Sequence, residues 1–199
     1  FIISEFAIGL ALLIPLLMKK LNGYRKYGWI YGIAGIVALV LVLLVGTENY
    51  GATSWLRVFG LFTFQPTEFV KLLFVLSIAS LFAERTDFKR VCLVTVMAAA
   101  TVLSVVMQKD LGGSLIFFVT YIFMLYGATK RPLYLFTGLA GGSVASWVAY
   151  RLFDHVKVRV MAWINPFGYI DKEGYQISQS LFAIGTGGWF GMGLYQGLP

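Results

Sequence analysis

Apolar residues run along this chain in long blocks, broken by short segments that are mostly basic. A helix rises about 1.5 Å per residue and a bilayer's hydrocarbon core is about 30 Å thick, so an apolar run of about 17 residues predicts a membrane-spanning helix. The runs Ile2 to Met18, Trp29 to Val45, Pro66 to Phe82, Val91 to Met107, Leu111 to Tyr126 and Leu133 to Tyr150 predict six spans. The second run carries no charge at all, whereas the third carries Glu68 and Lys71 near its start and is the least regular.

The positive charges set the orientation, because short loops rich in Lys and Arg stay on the cytoplasmic side. Lys19, Lys20, Arg25 and Lys26 follow the first span, Arg85, Lys89 and Arg90 the third, and Lys130 and Arg131 the fifth. The opposite short loops hold only Arg57 and Lys109, so the first span enters from outside and residues 151–199 lie outside. Arg151, Lys157, Arg159 and Lys172 in that last segment weigh little, since long loops translocate largely regardless of charge.

Composition agrees. Of 199 residues, 59% are hydrophobic and 13% charged, about half the charge of a soluble domain. The mean hydropathy of +0.80 points the same way. The expected fold is therefore an all-α integral membrane protein, a polytopic helical bundle of six spans over residues 1–150, followed by an extracytoplasmic segment over 151–199. The net charge of +7 lies in orienting blocks between spans, which argues against nucleic acid as a partner. One cysteine, Cys92, and one histidine, His155, exclude an internal disulfide and His-pair chemistry. A start at Phe1 and a stop at Pro199, directly after a Gly-rich stretch, predict an internal fragment of a longer chain.

The C-terminal run Leu181 to Leu194 contains five glycines. Each interior Gly costs a helix about 1 kcal/mol relative to Ala, so a non-helical re-entrant or interfacial segment is expected there rather than a seventh span. Candidate chemistry gathers on the outer side. Trp55 and Arg57, in the loop from Gly46 to Gln65, suit sugar stacking and phosphate binding, or an aromatic-belt anchor with an orienting charge. In the segment Gln65-Pro66-Thr67-Glu68, Pro66 suits the first helical position and places Glu68 and Lys71 at i and i+3 on one face. Ionisable groups within a span are functional candidates, against which stands simple snorkelling of Lys71. Asp110, in the tight turn Gln108-Lys109-Asp110, is placed to cap the next helix or to hold a carboxylate at the floor of an outer cavity. Tyr175, Gln176, Gln179 and Ser180 open the Gly-rich run and suit neutral hydrogen bonds to sugar hydroxyls. His155 beside Asp154 fits a solvated pair rather than a dyad.

In their order and spacing these blocks resemble the SEDS family (shape, elongation, division and sporulation), the FtsW, RodA and SpoVE proteins. The matching residues are Gly51-Ala52 with Trp55; Gln65-Pro66 with Glu68 and Lys71; Gln108 with Asp110-Leu111-Gly112; and Asn165-Pro166 running to Gly174-Tyr175-Gln176, Gln179-Ser180-Leu181 and Ala183-Ile184-Gly185. Lys109 stands where the family's turn carries proline, and a looser turn is expected. The family's Asp-Pro is absent at Tyr169-Ile170, with Asp171 following instead.

The resemblance implies a ten-span protein of which this chain is the middle, and a peptidoglycan glycosyltransferase. Its substrate would be lipid II, an undecaprenyl-pyrophosphate-linked disaccharide pentapeptide, polymerised outside the bacterial cytoplasmic membrane. Its partner would be a class B penicillin-binding protein acting as transpeptidase. Trp55, Glu68, Lys71 and Asp110 match family positions, while the family's catalytic carboxylate is expected beyond Pro199, so no general base is assigned within this chain. No cofactor is called for, although the pyrophosphate leaves room for a divalent cation. The rival expectation is a flippase for the same lipid, and a bare scaffold for partner proteins is the blandest.

Overall fold

The computed structural model describes residues 24–49, 52–58, 62–171, 174–189 and 191–193. The expected span Ile2 to Met18, with Lys19, Lys20, Gly51 and Lys172, lies outside the described residues, as do the side chains of Arg25 and Arg57. A 3-10 turn over Tyr24–Tyr27 leads into helix α1, Gly28–Val45. Three short strands follow: β1 (Thr47–Asn49), β2 (Ala52–Val58) and β3 (Phe62–Phe64). Helices α2 (Pro66–Glu84), α3 (Phe88–Met107), α4 (Leu111–Thr129) and α5 (Pro132–Leu152) come next, then α6 (Asp154–Ile164) and α7 (Tyr175–Gly187).

Helices α1 to α4 are each long and apolar enough to cross a membrane. They begin and end within a turn of the runs predicted from hydropathy. Helix α5 has the length, at 21 residues, but its Gly, Ser and Thr content leaves it outside that apolar set. Contacts divide the chain between Ala140 and Gly141, inside α5 and ahead of residue 150.

In the first unit α2 is the central helix. Half of its spanning window is buried, against about a third for α1, α3 and α4. Its inward residues Val70, Phe74, Ile78 and Leu81 meet Leu39 of α1, Val94 and Ala98 of α3, and Phe117 and Tyr121 of α4 in one apolar core. The Phe74 and Phe117 rings cross edge to face, with centroids 5.0 Å apart.

Lipid tails are as apolar as leucine, so helices in a bilayer associate through close packing and hydrogen bonds rather than hydrophobicity. Helix α1 supplies the close packing with Gly28, Gly32 and Gly35, all buried. A Cβ on Gly28 would lie 2.9 Å from Ser80 Cβ, and one on Gly32 would strike Met97 Sδ and come within 2.8 Å of Ser77 Oγ. The same approach lets the Ser77 hydroxyl donate to the Gly28 carbonyl at 2.7 Å. The regions facing outward stay apolar, with Ile33, Leu44, Phe69, Val96 and Phe123 more than half exposed, as a lipid-facing surface requires.

The loop from Gly46 to Gln65 holds more order than a hydropathy pattern reveals. Its strands pair antiparallel in the order β1-β2-β3, with Thr47 opposite Trp55 and Arg57 opposite Thr63. In the second unit the Gly-rich run corrects the sequence expectation. Helix α7 continues through its first half to Gly187, because glycines enter only at Gly185 and Gly187, in the last turn. The irregular backbone begins at Gly188, and Gly188, Gly191 and Gly193 take positive φ values of 56°, 73° and 109°. Glycine, with no Cβ, adopts such positive φ values without steric cost.

Candidate functional site

The C-terminal end of α1, the start of α2, the end of α3 and the start of α4 come to the same end of the first unit, since consecutive helices run antiparallel. The β-strands lie over that end, with β2 packed on α1 and α2. This is the end that the charge pattern places outside the cell.

Pro66 occupies the first turn of α2, where a missing N–H costs nothing. One turn on, the Lys71 ammonium donates to the Glu68 carboxylate at 2.8 Å, the i and i+3 pair expected from spacing. The Lys71 side chain is 29% exposed and that of Glu68 57%, so the cation is held against the protein while the acid faces outward. Pure snorkelling would leave Lys71 the freer partner. Glu68 also sits where the positive end of the helix dipole favours an acid.

Thr67, beside Glu68, escaped the sequence analysis. It is fully buried, and its hydroxyl has no hydrogen-bond partner among the described residues. A threonine between a proline and a glutamate offers no sequence signal for this. Gln65 and Trp55 are half-buried, and the backbone of Arg57 lies in β2.

The turn between α3 and α4 is tight and closed, not loose. Lys109 takes φ 63°, its N–H donates to Val106 O at 2.9 Å, and the Asp110 N–H donates to Val105 O at 3.3 Å. That pair of bonds is a Schellman C-cap with Lys109 at the left-handed position. Asp110 then caps α4, its carboxylate accepting from Gly113 N–H at 2.8 Å. Proline cannot reach this φ, so the expectation of a looser turn fails because Lys109 permits a tighter one. Gln108 is fully buried and donates to Leu39 O of α1 at 3.0 Å, tying the turn to that helix. Among the described residues no hydrogen bond or ion pair joins Asp110 to Glu68 or Lys71; the carboxylate is engaged by its own helix.

In the second unit, Asn165 ends α6 and its side-chain oxygen accepts from Gly168 N–H at 3.2 Å, closing a 3-10 turn over Pro166–Tyr169. The start of α7 packs on that turn. Ser178 is fully buried and donates to Pro166 O at 3.3 Å, and Gly174 donates to Tyr169 O at 3.0 Å. A Cβ at Gly174 would lie 2.5 Å from Pro166 O, so the block Asn165-Pro166 to Gly174 requires glycine by close approach. With Ser178 turned inward, Tyr175, Gln176 and Ser180 are exposed and Gln179 is half-buried. They form a polar stripe on the first two turns, because residues four apart share a helix face. Asp154 pairs with Lys157 at 2.8 Å, and the His155 ring lies against Phe153 at 5.5 Å between centroids. That exposed bond from Lys157 holds the Asp154 carboxyl below its ordinary pKa. Among the described residues no three of His, Cys, Asp and Glu converge as metal ligands would.

Comparison with known proteins fits this arrangement. The profile of the family described as "Cell cycle protein" (FTSW_RODA_SPOVE) matches residues 3–199. The chain belongs to this family. It is 37% identical over 206 residues to the peptidoglycan glycosyltransferase RodA of Mycobacterium tuberculosis strain H37Rv, covering 94% of this chain and 44% of that protein. It is 31% identical over 205 residues to a probable peptidoglycan glycosyltransferase FtsW of Allochromatium vinosum, covering 96% of this chain and 50% of that protein. Among solved structures it resembles a chain of a peptidoglycan synthase complex that coordinates polymerization and crosslinking, with TM-score 0.65, 29% identity, and 93% and 56% of the two chains covered. The rod shape determining protein RodA of Thermus thermophilus aligns with TM-score 0.55 and 29% identity, over 71% of this chain and 48% of that one. The chain thus spans about half the length of the relatives it matches. Family and helices together make it a polytopic membrane protein.

Proposed function

We propose that this chain is part of a peptidoglycan glycosyltransferase of the bacterial cytoplasmic membrane, which polymerises lipid II into glycan strands at the outer face. The observation that carries the reading is the placement of charge. Among the four apolar helices every charged side chain lies within six residues of a helix end, and the paired Glu68 and Lys71 stand at the outer one. A carrier with alternating access concentrates its polar contacts near the bilayer midplane. The inner turns of the described helices hold uncharged hydroxyls instead, among them Ser77, bonded to Gly28 O, and Thr95, paired with Tyr121.

In the proposed reaction an acceptor sugar hydroxyl loses its proton to a general base and attacks the anomeric carbon of the lipid-linked donor. The bond from that carbon to the pyrophosphate oxygen breaks, and undecaprenyl pyrophosphate leaves. No residue of this chain is assigned as the base. Lys71, oriented by Glu68, stabilises negative charge developing on the reacting groups, and Arg57 binds pyrophosphate. Trp55 packs on a sugar ring or on the partner enzyme, beside Gln65 as a neutral hydrogen-bonding group. Asp110, one of whose carboxylate oxygens caps α4, offers the other as an acceptor to the substrate. Tyr175, Gln176, Gln179 and Ser180 supply neutral hydrogen bonds to sugar hydroxyls. A class B penicillin-binding protein is the proposed transpeptidase partner, in keeping with the synthase complex that the fold resembles.

The test is incubation of the purified full-length protein with lipid II, alone and with that partner, alongside a lipid II translocation assay in liposomes. Glycan polymer without translocation is expected. Translocation without polymer would replace this reading with the flippase.

A further inference from the structure

At the opposite end of α2 the chain builds a second polar site that the proposed polymerase does not use. A shallow, largely open depression of about 200 Å³ lies between the end of α2 and the start of α3, lined by Arg85, Asp87, Lys89, Arg90 and Leu93. By the charge pattern this end lies on the cytoplasmic side. Arg90 is committed: it forms an ion pair with Glu84, and its guanidinium lies over the Trp29 ring, 5.8 Å from the centroid, which fastens the wall of the depression to α1. Arg85 and Lys89 are exposed and have no ion-pair partner among the described residues. Asp87 begins α3 but makes no capping hydrogen bond with its side chain, so its carboxylate is also unengaged.

An apolar stripe continues from this depression along α3. Lys89, Leu93 and Val96 fall at i, i+4 and i+7 on one face of α3, and Leu93 and Val96 are 51% and 67% exposed. A pair of cations thus sits directly above an open apolar stripe that descends one face of a spanning helix. A free anion would use the cations alone; a molecule with a charged head and an acyl tail would use both.

We propose that this depression binds the headgroup of an anionic glycerophospholipid of the inner leaflet. The phosphodiester accepts from Arg85 and Lys89, a headgroup hydroxyl donates to Asp87, and the acyl chain runs down Leu93 and Val96. With Arg90 balanced by Glu84, the two remaining cations against Asp87 leave one positive charge to match the single charge of the phosphodiester.

The test is native mass spectrometry of the full chain in detergent, titrated with phosphatidylglycerol and, separately, phosphatidylcholine. Wild type is expected to bind the first phosphatidylglycerol at least tenfold more tightly than phosphatidylcholine. Each cation near a lipid phosphate contributes roughly a fivefold factor, so the Arg85→Gln, Lys89→Gln double variant is expected to lose about twenty-fivefold and fall to the phosphatidylcholine level. The charge-keeping pair Arg85→Lys, Lys89→Arg is expected to retain the preference, as is Lys109→Gln at the opposite end of α3. Should the double variant fail to elute as a folded species, each single neutral variant is expected to show its own fivefold loss. Phosphatidylglycerol binding unchanged by the neutral variants would overturn the proposal. Displacement of the lipid by millimolar inorganic phosphate would overturn it too, in favour of a free-anion site.

Discussion

The turn between α3 and α4 provides the sharpest test of the backbone described here. Lys109 sits at φ 63°. A left-handed conformation costs a residue with a Cβ about 1–2 kcal/mol. Glycine escapes that cost but returns about 0.4–1 kcal/mol through the freedom of its unfolded chain, so Lys109→Gly is expected to stabilise by about 0.5–1 kcal/mol. Proline, fixed near −65°, cannot occupy the position, and it removes the N–H that donates to Val106 O. The turn must then open, releasing the Asp110 bond to Val105 O and displacing the carboxylate from Gly113 N–H. A lost cap costs about 1 kcal/mol and each lost backbone bond about 0.5–1.5 kcal/mol, so Lys109→Pro is expected to destabilise by about 3 kcal/mol. Lys109→Ala is the control, since it removes the side chain and keeps the backbone strain. Reversible unfolding in detergent by steric trapping gives these differences directly. The sign of the effect is informative: a Lys109→Pro protein as stable as wild type would refute the left-handed Schellman turn.

Three further outcomes follow from the packing. Gly32→Val places a branched side chain against Met97 and Ser77 and is expected to destabilise the first unit by about 1–3 kcal/mol, whereas Ser77→Ala loses one interhelical bond and about 0.6 kcal/mol, both read by the same trapping assay. Gly174→Ala sets a Cβ against two backbone carbonyls, those of Pro166 and Tyr169, and is expected to raise hydrogen exchange at the start of α7. The hydrogen bond from Lys157, and then its charge, lower the Asp154 pKa, so the contribution of this pair to α6 is fully present above the ordinary carboxylate value and is lost as pH falls through the folded value. Amide protection in α6 is therefore expected to drop as acid protonates Asp154, and Asp154→Asn is expected to abolish that step.

The spans were legible because hydrophobic length is a property of the sequence alone: α1 to α4 start and stop where charge, Pro66 and the Gln108-Lys109-Asp110 turn interrupt the apolar runs. The Glu68 and Lys71 pair was legible for the same reason, since a three-residue spacing on a helix fixes proximity. What spacing cannot convey is which face of a helix meets protein and which meets lipid. Thr67 and Gln108 disappear into the interior although neighbouring Glu68 and Lys109 do not, and only the packing of α1 against α2 and α3 decides that. The left-handed turn at Lys109 was hidden because the conformation is unusual for lysine. The strands of the outer loop were hidden because pieces of three residues carry too few positions for a pattern.

The central claim is that Lys71, held by Glu68, serves chemistry at the outer face rather than the stability of α2. An ion pair this exposed contributes about 0.3–0.5 kcal/mol, so its loss is expected to leave folding almost unchanged. The measurement is lipid II polymerisation by the full-length protein bearing Lys71→Ala or Glu68→Gln, with unfolding free energy measured on the same preparations. Polymer formation that falls at least a hundredfold in Lys71→Ala and by a smaller factor in Glu68→Gln, with stability held within about 0.5 kcal/mol, is the expected result. Full polymerisation by Lys71→Ala would contradict it.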